Sequence, residues 1–153
     1  MSNKFAGGIR AGQTSVSIPV VLRKTADSTE NTGTVASGVT AYYWRQGGTP
    51  TALTSATDLA AITSAFSAGG WKEADSTHCP GLYRLDVDNA AFATGADWVV
   101  VTVKVGSCFL FVERFNLEAT ACTDLAGATG VNVTQVNSVA VAGVGSAGNP
   151  WGP

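Results

Sequence analysis

Charge is what this sequence has least of. Only 13% of its 153 residues are Asp, Glu, Lys or Arg, about half the usual share of roughly 25%. A surface so poor in charge suits a chain largely covered by neighbours, although a rigid β-domain gives a similar profile. The net charge is −2, and the basic residues are scattered, with Arg23 and Lys24 the only adjacent pair. A nucleic-acid binder needs a basic patch to displace counterions, so no nucleic-acid partner is expected. Long apolar runs are missing too. None approaches the roughly 18–20 residues of a membrane span, and no membrane partner is expected. The opening residues MSNKFAGGIR lack the apolar centre of a secretory signal. Synthesis and assembly inside a cell are therefore expected.

Reactive side chains are equally scarce. The single histidine, His78, stands beside Cys79 in DSTHCPG. Neighbours on an extended chain point apart, so these two do not make a nucleophile–base pair. Together with Asp75 they also lack the paired spacing of a zinc site. Three cysteines, Cys79, Cys108 and Cys122, cannot all pair within one chain. Free thiols are expected, with a Cys79–Cys108 bridge open if their strands adjoin. Asp86 and Asp88 sit near a strand end and read as solvated carboxylates capping the next turn. Calcium ligation and glycoside hydrolysis both use such carboxylates, but neither has its supporting pattern here. AGGIRAGQTS holds no phosphate-loop lysine. Asn132-Val133-Thr134 fits a glycosylation sequon, which means little without export. No catalytic residue, metal or cofactor is expected, and the chain is not read as an enzyme.

What the sequence does have is β-alternation. In residues 15–23, Val16, Ile18, Val20 and Leu22 alternate with Ser17, Pro19, Val21 and Arg23. Pro19 lacks a backbone donor, which makes this strand an edge or a bulged one. Residues 24–37 are polar and read as a long loop or ragged hairpin. In residues 39–46, Tyr42 and Trp44 face away from Val39, Ala41 and Tyr43. Gly47, Gly48 and Pro50 mark a turn, and residues 51–55 a short returning strand. Further strands are expected at 71–74, 82–87, 98–105 and 108–116, with Gly106-Ser107 as a two-residue hairpin connection. In the third of these, Trp98, Val100, Thr102 and Lys104 alternate with Val99, Val101, Val103 and Val105. Asp88 and Asn89 can cap a short turn over 90–94, which Gly95 ends. Residues 58–67 form the one helix candidate, with Asp58 as N-cap and Leu59, Ile62 and Phe66 at i, i+3 and i+7. Gly69-Gly70 stops it.

About seven short strands with regular turns predict a mainly β fold: an immunoglobulin-like antiparallel β-sandwich with one short helix. The disulfide and tryptophan signature of antibody domains is not evident. Three regions follow: an N-terminal arm at 1–14, the sandwich at 15–117, and an extended β-prone C-terminal arm at 118–153. After Leu117 the only charges are Glu118 and Asp124. Val131, Val133, Val139 and Val141 repeat the alternation without enough apolar mass for a core of their own. Such strands suit pairing with another chain, and Trp151 in NPWGP suits anchoring in a partner's pocket. Tyr42 and Trp44 form the candidate aromatic surface, either an interface or a sugar-stacking platform.

PGLYRLDV, then NAAFATGADWVVVTV, then CFLFVERFNL, preceded by IPVVLRKTADSTENTGTVASGVTAYYWRQGG, resembles immunoglobulin-like domains in structural proteins of tailed bacteriophages. The N-terminal domain of baseplate upper proteins and fibre-associated proteins are similar to it. The resemblance implies a virion component assembled in the host bacterial cytoplasm, with other virion proteins and copies of itself as partners. The reading is a non-enzymatic tail-fibre or tail-appendage adaptor docking through its terminal arms. The alternatives are a capsid decoration protein or a carbohydrate-binding module for host glycans.

Overall fold

The computed structural model describes residues 8–118 and two short strands at 135–136 and 139–140. The chain divides into two units, Met1–Ala121 and Cys122–Pro153. The first is a β-sandwich of a five-stranded and a four-stranded sheet. Its strands are β1 (Ile9–Arg10), β2 (Ser17–Val21), β3 (Val39–Arg45), β4 (Thr51–Ala52), β5 (Thr57–Asp58), β6 (Gly70–Asp75), β7 (Cys79–Asp86), β8 (Trp98–Val105) and β9 (Phe111–Glu118). One sheet runs β2-β7-β6-β5 and the other β1-β9-β8-β3-β4. Pairing is antiparallel except at β1–β9 and β5–β6. Both sheets are therefore mixed rather than purely antiparallel.

The alternation read from sequence decides which residues fill the space between the sheets. Ile18 and Val20 of β2, Tyr83 and Leu85 of β7, and Val99, Val101 and Val103 of β8 are all buried. Trp71 lies flat on Tyr83 with ring centroids 4.6 Å apart and planes 11° apart. Both aromatic polar groups are satisfied at this depth: Trp71 Nε1 donates to the Thr34 carbonyl at 2.9 Å and Tyr83 donates to the Asn31 carbonyl at 2.8 Å. Burying these rings without partners would cost more than their packing returns. Pro19 sits in β2, an edge strand, opposite Arg84, where its missing N–H costs no ladder bond.

Two sequence expectations are corrected here. Residues 58–67 form no helix. Asp58 belongs to β5, and its carboxylate accepts from the Ala36 amide at 2.9 Å, at the start of a 3-10 turn (Ala36–Gly38). The carbonyls that a helix would use internally go to Arg84, which donates to Ile62 and Ser64 at 2.6 and 2.8 Å. Long-range partners thus replace the i→i−4 bonds that a short helix cannot sustain alone. Gly106-Ser107 is not the whole of the hairpin connection either. Val103 pairs with Phe111, while Cys108 bridges Lys24 and the Phe109 amide donates to the Arg23 carbonyl. The connecting segment is drawn away by the 23–30 loop before β9 begins. Cys79 and Cys108 are free thiols, as expected, the first exposed and the second buried.

The N-terminal region contributes to the sandwich: Ile9 and Arg10 pair with Leu117 and Glu118. In the second unit, β10 (Gln135–Val136) and β11 (Val139–Ala140) form an antiparallel pair with Val136 opposite Val139. Of the candidate partner-binding residues, Val139 falls in β11, while Val131, Val133, Val141 and Trp151 lie outside the described residues.

Candidate interaction surface

Alternation along β3, β8 and β9 sends one set of side chains into the core and the other to the outer face of the five-stranded sheet. The outer set is Thr40, Tyr42 and Trp44 from β3, Trp98, Val100, Thr102 and Lys104 from β8, and Val112, Arg114 and Asn116 from β9. Register aligns them in rows: Trp44–Val100–Arg114 and Tyr42–Thr102–Val112. Tyr42 and Trp44 are 43% and 44% exposed, as sequence alternation indicated. Trp44 is fixed from two sides. Its Nε1 donates to the Gly48 carbonyl at 2.9 Å, and its ring meets Trp98 edge-to-face, with centroids 5.2 Å apart at 88°. The Arg114 guanidinium lies 5.2 Å from the Trp98 ring centroid, a cation–π contact. The charged members of this set, Lys104 and Arg114, are both basic.

Trp98, Val112 and Arg114 are surface residues that were not singled out from sequence. Period 2 already placed Trp98 with Val100 and Thr102. Missing was the register that sets Trp98 on the diagonal from Trp44, close enough for rings to touch. Phe109 and Leu110, both exposed, precede β9 and carry the apolar character on from Val112. Large apolar groups gathered this way mark an interaction surface more than isolated exposed residues do. The geometry is less suited to a sugar. A pyranose stacks on a flat, free ring face, whereas these two indoles stand perpendicular and Trp98 has Arg114 over it.

The residues weighed for chemistry lie elsewhere and apart. His78 Nδ1 is 2.9 Å from Asp75 Oδ2 on an exposed hairpin. Hydrogen bonds from the His78 amide, the His78 ring and the Thr77 amide hold the Asp75 pKa below its ordinary value. No cluster of His, Cys, Asp and Glu suited to a metal occurs among the described residues. Asp86 is a correction: it is fully buried, not solvated. Its Oδ1 accepts from Ser17 Oγ at 2.6 Å and Arg84 Nε at 2.7 Å; its Oδ2 accepts from Arg84 Nη2 at 2.8 Å and the Ser67 amide at 3.0 Å. Burial works to raise its pKa, but these hydrogen bonds and the Arg84 charge together hold it below the ordinary aspartate value. With the guanidinium engaged at both edges, the pair is a clasp for the chain between β5 and β6. Asp88 does not cap the following 3-10 turn (Asn89–Phe92) with its side chain; its Oδ2 accepts from the Thr54 amide at 2.8 Å.

A concavity of about 540 Å³ is lined by Ala11, Gln46, Thr94, Ala96, Asp97 and Leu117 among others. A smaller one of about 290 Å³ lies beside Val39, Ala41, Leu53 and Ala56. No helix among the described residues is long and apolar enough to cross a membrane. No family model, curated protein or solved structure matches the chain.

Proposed function

We propose that this protein is a non-enzymatic structural subunit of a tailed-bacteriophage virion, a tail-fibre or tail-appendage adaptor built on an immunoglobulin-like sandwich. The body docks through the outer face of its five-stranded sheet, and the C-terminal region clips into the assembly. The observation that carries this reading is the aromatic and apolar outer face, with Tyr42, Trp44 and Val112 exposed. The low charge of the chain supports it, as does the resemblance of residues 15–117 to phage structural domains. Aromatic anchors beside an arginine are the usual makings of a binding hot spot.

The test is made on purified particles of the phage that encodes the chain. Its peptides are expected at the abundance of a structural protein, with antibody–gold label on the tail. Label on the head would favour capsid decoration, and absence from the particle would overturn the virion reading. A glycan titration that shifts tryptophan emission, and that Trp44→Ala abolishes, would favour the carbohydrate-binding alternative.

A further inference from the structure

We infer that the outer face of the five-stranded sheet takes an acidic segment of a different protein, with two carboxylates that meet Arg114 and Lys104 and an apolar side chain between them. This rests on the docking face proposed above and names the chemistry of its partner.

The two basic groups are in place and unmatched. Both are exposed. The Arg114 guanidinium lies 5.2 Å from the Trp98 ring centroid, a contact that holds it without using its N–H donors. Among the described residues, neither Arg114 nor Lys104 forms an ion pair with a carboxylate. Glu113 adjoins Arg114 in the chain but stands opposite the buried Val101, on the inner face. Glu118 is in register with Arg10, about 13 Å along β9 from Arg114. A guanidinium fork with free donors fits a carboxylate through two parallel hydrogen bonds.

Register sets the spacing of the partner's acids. Arg114 stands opposite Val100 and Val112 opposite Thr102, with Lys104 the next outward residue of β8. The two basic rows are therefore about 13 Å apart, with the exposed Val112 in the row between them. An extended segment laid along the sheet in the order acid, spacer, apolar, spacer, acid has the same repeat, because alternate side chains of a strand share a face. Two charges this far apart are too sparse for a polyanion, which needs a dense basic patch. The chain does not hold the complement itself. Asp58, Glu73, Asp75, Asp86 and Asp88 already accept hydrogen bonds within it, and Glu30 faces Arg23. Residues 1–7 contain no acid and residues 119–153 contain one, Asp124, too few for both bases wherever those residues lie. A second copy brings the same engaged carboxylates, so the occupant is assigned to a different protein.

The experiment measures binding of fluorescein-labelled peptides to the full chain by fluorescence anisotropy. The probe peptides carry Asp-Thr-Leu-Thr-Asp or Asp-Thr-Phe-Thr-Asp at their centre, and the controls replace both Asp by Asn or by Lys. The acidic peptides are expected to bind about tenfold more tightly than the Asn controls, a preference that shrinks as salt screens the exposed charges. Arg114→Gln and Lys104→Gln should each weaken the acidic peptides about threefold to fivefold, the upper range for an exposed ion pair, and leave the Asn controls unchanged. Arg114→Glu should narrow the gap between the acidic and the Lys peptides. Equal binding of acidic and Asn peptides to the parent would overturn the acidic partner and leave an apolar docking face. Tighter binding of the Lys peptides would overturn it as well. Dextran sulfate binding more tightly than the acidic peptides at the same charge would overturn it in favour of a polyanion. No binding of any peptide would overturn the acidic partner, while the particle experiment above still decides the virion reading.

Discussion

On the four-stranded sheet, Arg84 and Asp86 face outward but hold residues 59–69 over themselves; on the five-stranded sheet, Tyr42, Trp44 and Val112 face outward and stay on the surface. The four-stranded sheet has covered this ion pair with its own chain. The sheet with aromatics has left them out. This inverts the usual economy, in which apolar groups are the first to be covered. The lesson is that the two outer faces serve different ends. One is spent on stability, and the other is kept for contact, as proposed above.

Substitutions should separate these ends, and the largest effect is expected on the covered sheet. Asp86→Asn strands the Arg84 guanidinium and turns an acceptor into a donor against it. The expected loss is about 3–5 kcal/mol of unfolding free energy, the range for breaking a buried pair from one side. Chemical denaturation measures it, and a loss below about 1 kcal/mol would mean the clasp is not structural. The same carboxylate sets a pH limb. Its folded pKa is below its unfolded one, so its contribution is present above the ordinary aspartate range. That contribution is lost as pH falls below about 4 toward the folded value. Asp86→Asn should flatten this limb.

Gly70→Ala is expected to cost about 1–3 kcal/mol, as overpacking does. A Cβ there would lie 2.6 Å from Asp86 Oδ2 and 2.8 Å from the Ser67 carbonyl. Urea midpoints compare it with the parent. Trp44→Ala on the other sheet should cost only about 1 kcal/mol of stability, the worth of its edge-to-face contact. Its effect on docking should be larger, about 2 kcal/mol or more if Trp44 is a hot spot. Calorimetric unfolding and sedentation-based mass, read on one sample, test both halves. Equal losses in stability for Asp86→Asn and Trp44→Ala would erase the contrast between the sheets. The smallest effect is expected at Glu113→Gln, a slight gain in stability at neutral pH. Burial alone raises the Glu113 pKa, so its ionisation counts against folding as pH rises. The gain should fade toward acid, opposite in sign to the limb of Asp86.

Much of the sandwich was legible in the alternation. Strand β8 fell at 98–105 as read, and β3 ended one residue early, at Arg45. Period 2 is a local property, so it survives without knowledge of partners. The helix at 58–67 failed because its i, i+3, i+7 spacing is also local, whereas Arg84 and Asp86 act from beyond it. Asp86 was read as solvated for the same reason: nothing in LDVD shows that Ser17, Ser67 and Arg84 converge on one carboxylate. Of the candidate surface, Tyr42 and Trp44 were visible and Trp98 and Arg114 were not. Their contact depends on which residue of β8 lies opposite Trp44. A single sequence carries no record of that register.

Pro19 has a consequence for valence. β2 closes one margin of the four-stranded sheet with a residue that cannot donate, and β5 at the opposite margin is two residues long. In the other sheet β4 is equally short. Three sheet margins are thus guarded against edge-to-edge growth into a cross-β ladder.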